Sequence, residues 1–93
     1  MVATKPFDPA RYTKTREAQQ ALLDDAFASG NAAYIADALG IIARAQGMSE
    51  VAKKAGVTRE ALYKSLSEDG DPRLTTLLGV VQALGLKLTA HVG

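Results

Sequence analysis

Apolar residues recur at every third or fourth position along most of this 93-residue chain, a spacing that places them on one face of an α-helix. The first such stretch covers about residues 16–29. Gly30 ends it, and Asn31 is a suitable N-cap for a second helix that runs to about Gln46. A later stretch, residues 74–84, predicts a helix that backs the core. Its apolar stripe consists of Leu74, Leu77, Leu78, Val81 and Leu84.

One glycine lies inside the second predicted helix. Gly40 stands beside the inner apolar stripe formed by Ile35, Leu39 and Ile42. A glycine in a helix interior costs about 1 kcal/mol relative to alanine. We therefore interpret Gly40 as the mark of a close crossing by another helix.

Residues 48–66 predict two further short helices joined by a tight turn. Ser49 is a suitable N-cap for the first, because its hydroxyl can accept a hydrogen bond from an unpaired N–H of the first turn. Gly56 lies where the backbone must turn with a positive φ. Val57 can fill the corner between the helices, and Thr58 can cap the second.

The second short helix has two different faces. At about 100° per residue, one face collects the long polar side chains of Arg59, Glu60, Tyr63 and Lys64, with Ser67. The other face collects Ala61, Leu62, Ser65 and Leu66 and is expected to pack inward. A short helix of this kind, held by a helix crossing behind it, fits a major groove about 12 Å wide as a helix-turn-helix. The alternative is an ordinary helix pair with no nucleic-acid role.

In the last residues of the chain, the spacing of apolar positions changes from every third or fourth residue to every second residue. Residues 86–93 alternate apolar and polar side chains, which is typical of a half-buried β-strand. The apolar positions, which are the candidates for dimerisation, are Leu86, Leu88, Ala90 and Val92. Because a lone strand cannot satisfy its backbone hydrogen-bonding groups, we expect it to pair with a second copy in a homodimer or with a strand of another protein.

The first 15 residues predict irregular structure, because Pro6 and Pro9 flank Phe7 and Asp8 and discourage a helix. Two roles are open for its large apolar side chains. They can fold back on the domain as a clasp, or they can anchor a partner protein, since aromatic residues dominate interface hot spots. The candidates for partner binding, which include two residues of the first helix, are Phe7, Tyr12, Leu22 and Phe27.

These patterns divide the chain into an irregular segment at 1–15, a helical domain at 16–85 and a strand at 86–93. The expected fold class is all-α, with five helices and a short C-terminal β-strand. At this length the chain holds one core. It contains no cysteine, which excludes disulfides and thiolate sites. No apolar run approaches the roughly 20 residues of a membrane span, and no signal peptide is evident, so a cytoplasmic protein is expected.

Charge and side-chain chemistry narrow the function further. The net charge of +1 is low for a strong non-specific DNA binder. We therefore infer modest affinity per subunit, raised when a dimer spans two half-sites. His91 is the only histidine, and no nucleophile–base–orienter set, metal cluster or phosphate-binding glycine loop is evident. An enzyme is the poorest fit, and neither a cofactor nor a metal is expected.

Two family resemblances follow from these motifs. The pattern of Val51, Ala52, Gly56, Val57 and Leu62 resembles the helix-turn-helix of the Cro/CI-type (lambda repressor-like) family. Across nearly the whole chain, the sequence also resembles the addiction-module antidote proteins, small antitoxins with such a motif. The segments that carry this second resemblance are 37–49, 58–66, 70–72 and 83–88, with Phe7-Asp8 and Arg11-Tyr12 near the N-terminus.

The resemblance implies a bacterial antitoxin that binds and silences a small RelE/ParE-like toxin and represses its own operon by binding double-stranded DNA. It assigns DNA reading to Thr58, Arg59, Glu60, Tyr63 and Lys64. The chain departs from the family pattern at two positions. Met48 stands where many such motifs have a glutamine that contacts phosphate, and Ser65 stands where a bulky aliphatic is common, with Leu66 supplying the bulk.

The candidate DNA contacts divide by chemistry. Arg59 can place a bidentate fork on guanine, whereas Lys53, Lys54 and Lys64 suit phosphates. Tyr63 can contact a thymine methyl or a phosphate. Glu60 can accept from cytosine or pair with Lys64 one turn away. Ser49 and Thr58 lie at helix N-termini, where a phosphate is favoured.

Two other functions remain open. A stand-alone transcriptional regulator without a toxin would use the same DNA chemistry. A protein-interaction module that no longer binds DNA would explain the near-neutral charge and Met48.

Overall fold

Five α-helices account for most of the chain in the computed structural model, which describes residues 15–93. They are α1 (Arg16–Ser29), α2 (Ala32–Gln46), α3 (Met48–Ala55), α4 (Arg59–Ser65) and α5 (Leu74–Ala83). The predicted all-helical class and the helix count are confirmed for this part of the chain. The expectations for Phe7 and Tyr12 lie outside the described residues. None of the described helices is both long enough and apolar enough to cross a bilayer.

Local side-chain chemistry sets the boundaries of the first two helices. The Thr15 hydroxyl accepts a hydrogen bond from the Ala18 N–H at 3.0 Å and so begins α1. The predicted Asn31 cap is confirmed, because its side-chain oxygen accepts from the Tyr34 N–H at 3.1 Å. Gly30, between the helices, has a φ of 66°, the left-handed conformation that ends many helices.

The helices enclose one hydrophobic core. α2 packs against α1 and α3, and α3 packs against α4 and α5. The largest fully buried side chains come from four of the five helices and from the residue after α4: Leu39, Ile42, Val51, Leu62, Leu66 and Val80. α1 adds Leu22, Leu23 and Ala26. Because α3 and α4 both contribute to this core, the two short helices are held by tertiary packing.

The predicted close crossing at Gly40 is confirmed. A Cβ atom at this position would overlap the carbonyl oxygen of Leu66 and would lie 3.3 Å from the Leu66 Cβ. Leu66 follows the last residue of α4 and is fully buried. The missing side chain of Gly40 therefore allows α2 to approach the backbone at the end of α4.

The apolar stripe of α5 is divided between the core and the surface. Val81 and Leu84 are buried as expected, but Leu74 is 66% exposed and Leu78 is 46% exposed. The expectation that the whole stripe backs the core is therefore wrong for these two leucines. The reason lies at Gly79, where α5 approaches α3 so closely that a Cβ would lie 3.3 Å from the Ala55 carbonyl oxygen. This contact turns the face that carries Gly79 and Val80 inward.

The predicted C-terminal strand is wrong for this single chain. Residues 86–93 contain neither strand nor helix. The Leu86 N–H donates to the Val81 carbonyl at 2.9 Å, and Leu86 packs against the core, but Leu88, Ala90 and Val92 are exposed. A strand needs a neighbouring strand for its hydrogen bonds, and the described part of the chain supplies none.

Substitution of Gly40 tests the crossing. Gly40→Ala is expected to lower the free energy of unfolding by about 2 kcal/mol, because overpacking against backbone outweighs the gain in helix propensity. Urea unfolding followed by circular dichroism measures this change. Gly79→Ala is the matched control: it gains the same propensity but meets a looser contact at 3.3 Å, so its loss should be smaller. A Gly40→Ala variant as stable as the parent would contradict the assignment.

Candidate nucleic-acid interface

The turn between α3 and α4 sets the direction of α4. Gly56 has a φ of 76°, and its N–H donates to the Lys53 carbonyl at 3.3 Å. The next N–H, that of Val57, reaches back to the Ala52 carbonyl at 3.0 Å. This pair of bonds satisfies carbonyls at the end of α3 that lack a partner within the helix. Val57 is half-buried and packs against the core, as predicted for the corner residue.

The two predicted N-caps have different outcomes. Thr58 caps α4 as predicted, with its hydroxyl accepting from the Ala61 N–H at 3.0 Å. Ser49 does not cap α3, because that helix begins one residue earlier, at Met48. Gly47, with a φ of 113°, both ends α2 and precedes α3. No further residue separates the helices, so Ser49 lies exposed in the first turn of α3.

The two faces of α4 have different exposure. Leu62 and the following Leu66 are fully buried. The opposite face exposes Arg59, Glu60, Tyr63 and Lys64 to solvent. Ala61 is also exposed, which corrects its predicted inward position. The reason is that this short helix rests on the core along a single line of side chains.

The two positions that depart from the family pattern, Met48 and Ser65, lie near the two ends of residues 48–66. Met48 is buried in the core, so its side chain is not placed to contact a phosphate. Ser65 is half-buried, and the bulk at this end of α4 comes from Leu66. Ser67, predicted on the polar face, is half-buried and donates its hydroxyl to the Lys64 carbonyl at 3.1 Å. It therefore helps to end the helix.

Two side chains of the exposed face contact each other. The guanidinium carbon of Arg59 lies over the ring of Tyr63, 5.5 Å from the ring centroid. This distance is within the range of a cation–π interaction. The residues are four positions apart, which places them on neighbouring turns of the same helix face. The sequence showed this spacing but not the contact.

The motif carries more positive charge than the chain as a whole. Residues 48–66 contain four cationic side chains and two carboxylates, so their net charge is +2 against +1 for the full chain. Lys53 and Lys54 are exposed in the last turn of α3, just before the turn to α4. Exposed lysines beside a helix that enters a groove are suited to phosphate contacts.

A second surface, which sequence reasoning missed, lies between α1 and the C-terminal segment. Here a groove of about 290 Å³ has an apolar lining that includes Leu23, Phe27, Leu86 and Leu88. Its polar lining consists of Gln20, Asp24, Lys87, Thr89 and His91. Periodicity could not reveal this groove, because it forms only when the end of the chain folds back over α1. The groove shares no lining residue with the exposed face of α4.

The predicted partner-binding residues of α1 separate in the structure. Phe27 is half-buried and lines the groove. Leu22 lies on the inner side of α1 and is only 2% exposed. Leu22 is therefore a core residue and does not present its side chain to a partner. Within residues 15–93, no group of three or more histidine, cysteine or acidic side chains is placed to hold a metal ion.

Comparison with known proteins gives two matches. Residues 3–92 match the model of a family described as "Probable addiction module antidote protein". A protein of Haemophilus influenzae, described only as uncharacterized, is 42% identical over 83 residues. That alignment covers 89% of this chain and 86% of the relative. No solved structure matches the chain.

Proposed function

The chain belongs to the family of probable addiction module antidote proteins, and from this premise we propose that it is an antitoxin with two binding activities. One is sequence-specific binding of double-stranded DNA at the operator of its own operon, which represses transcription. The other is binding and neutralisation of a RelE/ParE-like toxin, a type that the sequence resemblance implies.

One observation carries the DNA-binding proposal. α4 buries Leu62 and Leu66 while its opposite face exposes Arg59, Tyr63 and Lys64. A capped helix with this division can enter a major groove while α3 holds it from behind. Arg59 is suited to a bidentate contact with guanine.

The other predicted DNA contacts supplement this face. Lys64 and the exposed lysines of α3, Lys53 and Lys54, position the protein on phosphates. Glu60 is exposed beside Arg59, where it accepts from cytosine or pairs with Lys64. Ser49 is exposed in the first turn of α3 and has a free hydroxyl for a phosphate. The Thr58 hydroxyl accepts a hydrogen bond from the Ala61 N–H, and its O–H can still donate to a phosphate oxygen.

The groove between α1 and residues 86–91 is the surface we assign to the toxin. The part of its lining that we assign to the toxin lies on α1, where Leu23 and Phe27 are apolar and Gln20 and Asp24 are polar. A partner segment that enters it would bury this apolar surface, which is the main source of binding free energy. Phe7 and Tyr12 remain predicted contributors to the same partner contact.

We assign self-association to the exposed end of the chain. Leu88 is 41% exposed and Val92 is fully exposed, whereas Leu86 is anchored to the core. Residues 88–93 can therefore pair with a second copy while the domain stays folded. Two copies linked in this way would contact two half-sites, which compensates for the low charge of each subunit.

Two observations favour a second function, a protein-interaction module that has lost DNA binding. They are the net charge of only +1 and the burial of Met48. A salt-dependent gel shift with the upstream DNA separates this function from the first. A stand-alone regulator would instead bind DNA without neutralising any toxin.

The DNA contacts are tested with point variants. Arg59→Ala is expected to abolish the gel shift of the upstream duplex at moderate salt, because it removes the bidentate donor. Lys64→Ala should reduce the slope of the logarithm of the binding constant against the logarithm of the salt concentration by about one, because the Lys64 side chain is expected to neutralise one phosphate. Arg16→Ala, which removes the same charge from an exposed position of α1, should leave the gel shift unchanged. Unaltered binding by Arg59→Ala would remove Arg59 from the interface.

Neutralisation is tested by co-expression with the product of the neighbouring gene. The chain is expected to co-purify with that product and to restore growth. The Arg59→Ala variant should do both equally well, because Arg59 does not line the groove. Absence of both co-purification and growth rescue, in a chain that still binds DNA, would favour the stand-alone regulator.

Self-association is tested with two matched substitutions of leucine by aspartate. Leu88→Asp is expected to lower the mass measured by sedimentation from dimer to monomer. Leu78→Asp, at a similarly exposed leucine of α5, should leave the dimer intact. The reverse result would place the interface on α5. A dimer that persists in the Leu88→Asp variant would contradict the role of the C-terminal segment.

A further inference from the structure

We propose that Tyr63 is a positioning residue that orients Arg59, so that discrimination between bases depends on the two side chains together. The inference rests on the proposed DNA-binding function and deepens it. The sequence alone favoured a direct contact between Tyr63 and a thymine methyl or a phosphate. The structure instead places its ring beneath a neighbouring guanidinium, 5.5 Å from ring centroid to guanidinium carbon.

Arginine needs a fixed orientation to read a base. Its planar guanidinium forms two parallel hydrogen bonds with guanine only when the plane and the direction of the fork are both correct. Arg59 is the first residue of α4 and is exposed, so few contacts limit its rotamers. A long exposed side chain loses conformational entropy when it is fixed on binding. A contact that restricts Arg59 beforehand reduces that loss.

The Tyr63 ring provides this restriction without consuming hydrogen-bond donors. Attraction between a cation and the face of a ring arises from the ring quadrupole. The N–H groups of the guanidinium therefore remain available for a base edge. Tyr63 is itself well placed for this task. It is 40% exposed, so more than half of its side chain is covered by protein, and it follows the fully buried Leu62.

The proposal separates specificity from overall affinity. Removal of the Tyr63 ring leaves the positive charge of Arg59 in place, so attraction to phosphates persists. What is lost is the orientation that favours one base over another. A direct phosphate contact from the Tyr63 hydroxyl would instead weaken binding to all duplexes.

The hydroxyl and the ring can be separated by substitution. Tyr63→Phe keeps the ring and removes the hydroxyl, whereas Tyr63→Leu removes the ring and keeps an apolar side chain. Fluorescence anisotropy gives the Kd for the upstream operator duplex, for versions with single base-pair changes, and for an unrelated duplex of equal length. The ratio of unrelated to operator Kd is the measured specificity. Circular dichroism melting checks that each variant is folded.

Three results are expected. Tyr63→Phe should keep the specificity of the parent. Tyr63→Leu should lower the specificity by about two- to fivefold, the range that an exposed cation–π contact gives, with the unrelated Kd nearly unchanged. The double-variant comparison is made at low salt, where phosphate contacts keep the Kd of Arg59→Ala measurable. In this Arg59→Ala background, Tyr63→Leu should cause no further loss, because the residue that it positions is already absent.

Other results would overturn the proposal. If the losses from Arg59→Ala and Tyr63→Leu multiply in the double variant, the two side chains act independently. If Tyr63→Phe loses as much specificity as Tyr63→Leu, the hydroxyl contacts a base directly. If Tyr63→Phe weakens binding to operator and unrelated DNA equally, the hydroxyl contacts a phosphate. A parent chain with equal Kd values for operator and unrelated DNA would overturn the proposed function itself, and that result is distinguishable because it appears before any substitution.

Discussion

The crossing of α2 over the end of α4 is the contact on which the rest of the structure depends. Gly40 lacks a side chain at the point where the Leu66 carbonyl approaches. This approach lets Leu66 and Leu62 enter the core completely. With that side of α4 fixed, its other side must face solvent. The position of the exposed polar face therefore follows from a missing side chain on a different helix.

This dependence has a thermodynamic reason. A seven-residue helix such as α4 is not stable alone, because nucleation costs more than so few hydrogen bonds return. The Thr58 cap and the Gly56 turn supply local support, but burial of apolar side chains supplies most of the stability. The arrangement of Arg59 and Tyr63 is thus a product of tertiary packing. A helix of this length holds its exposed face in place only as part of a folded domain.

The two proposed binding surfaces are built from different parts of the chain. The exposed face of α4 lies within residues 48–66, whereas the groove comes from α1 and residues 86–91. They share no lining residue, so substitutions on α1 and on α4 can separate partner binding from DNA binding. An antitoxin needs such independence if it is to bind an operator and a toxin together. Leu74 and Leu78 are further exposed apolar side chains, both on α5.

Sequence alone determined the five helices, the Asn31 and Thr58 caps, the glycine crossing and the polar face of α4. These features depend on spacing and local chemistry, which can be read directly from neighbouring residues. Tertiary structure decided that Ser49 is not a cap, that Leu22 is buried and that Leu74 and Leu78 are exposed. It also formed the groove between α1 and the C-terminal segment, and it left residues 86–93 without a strand. A periodic pattern shows that one face is apolar, but the neighbouring backbone determines which of those residues are covered, and a strand requires a partner that one chain does not contain.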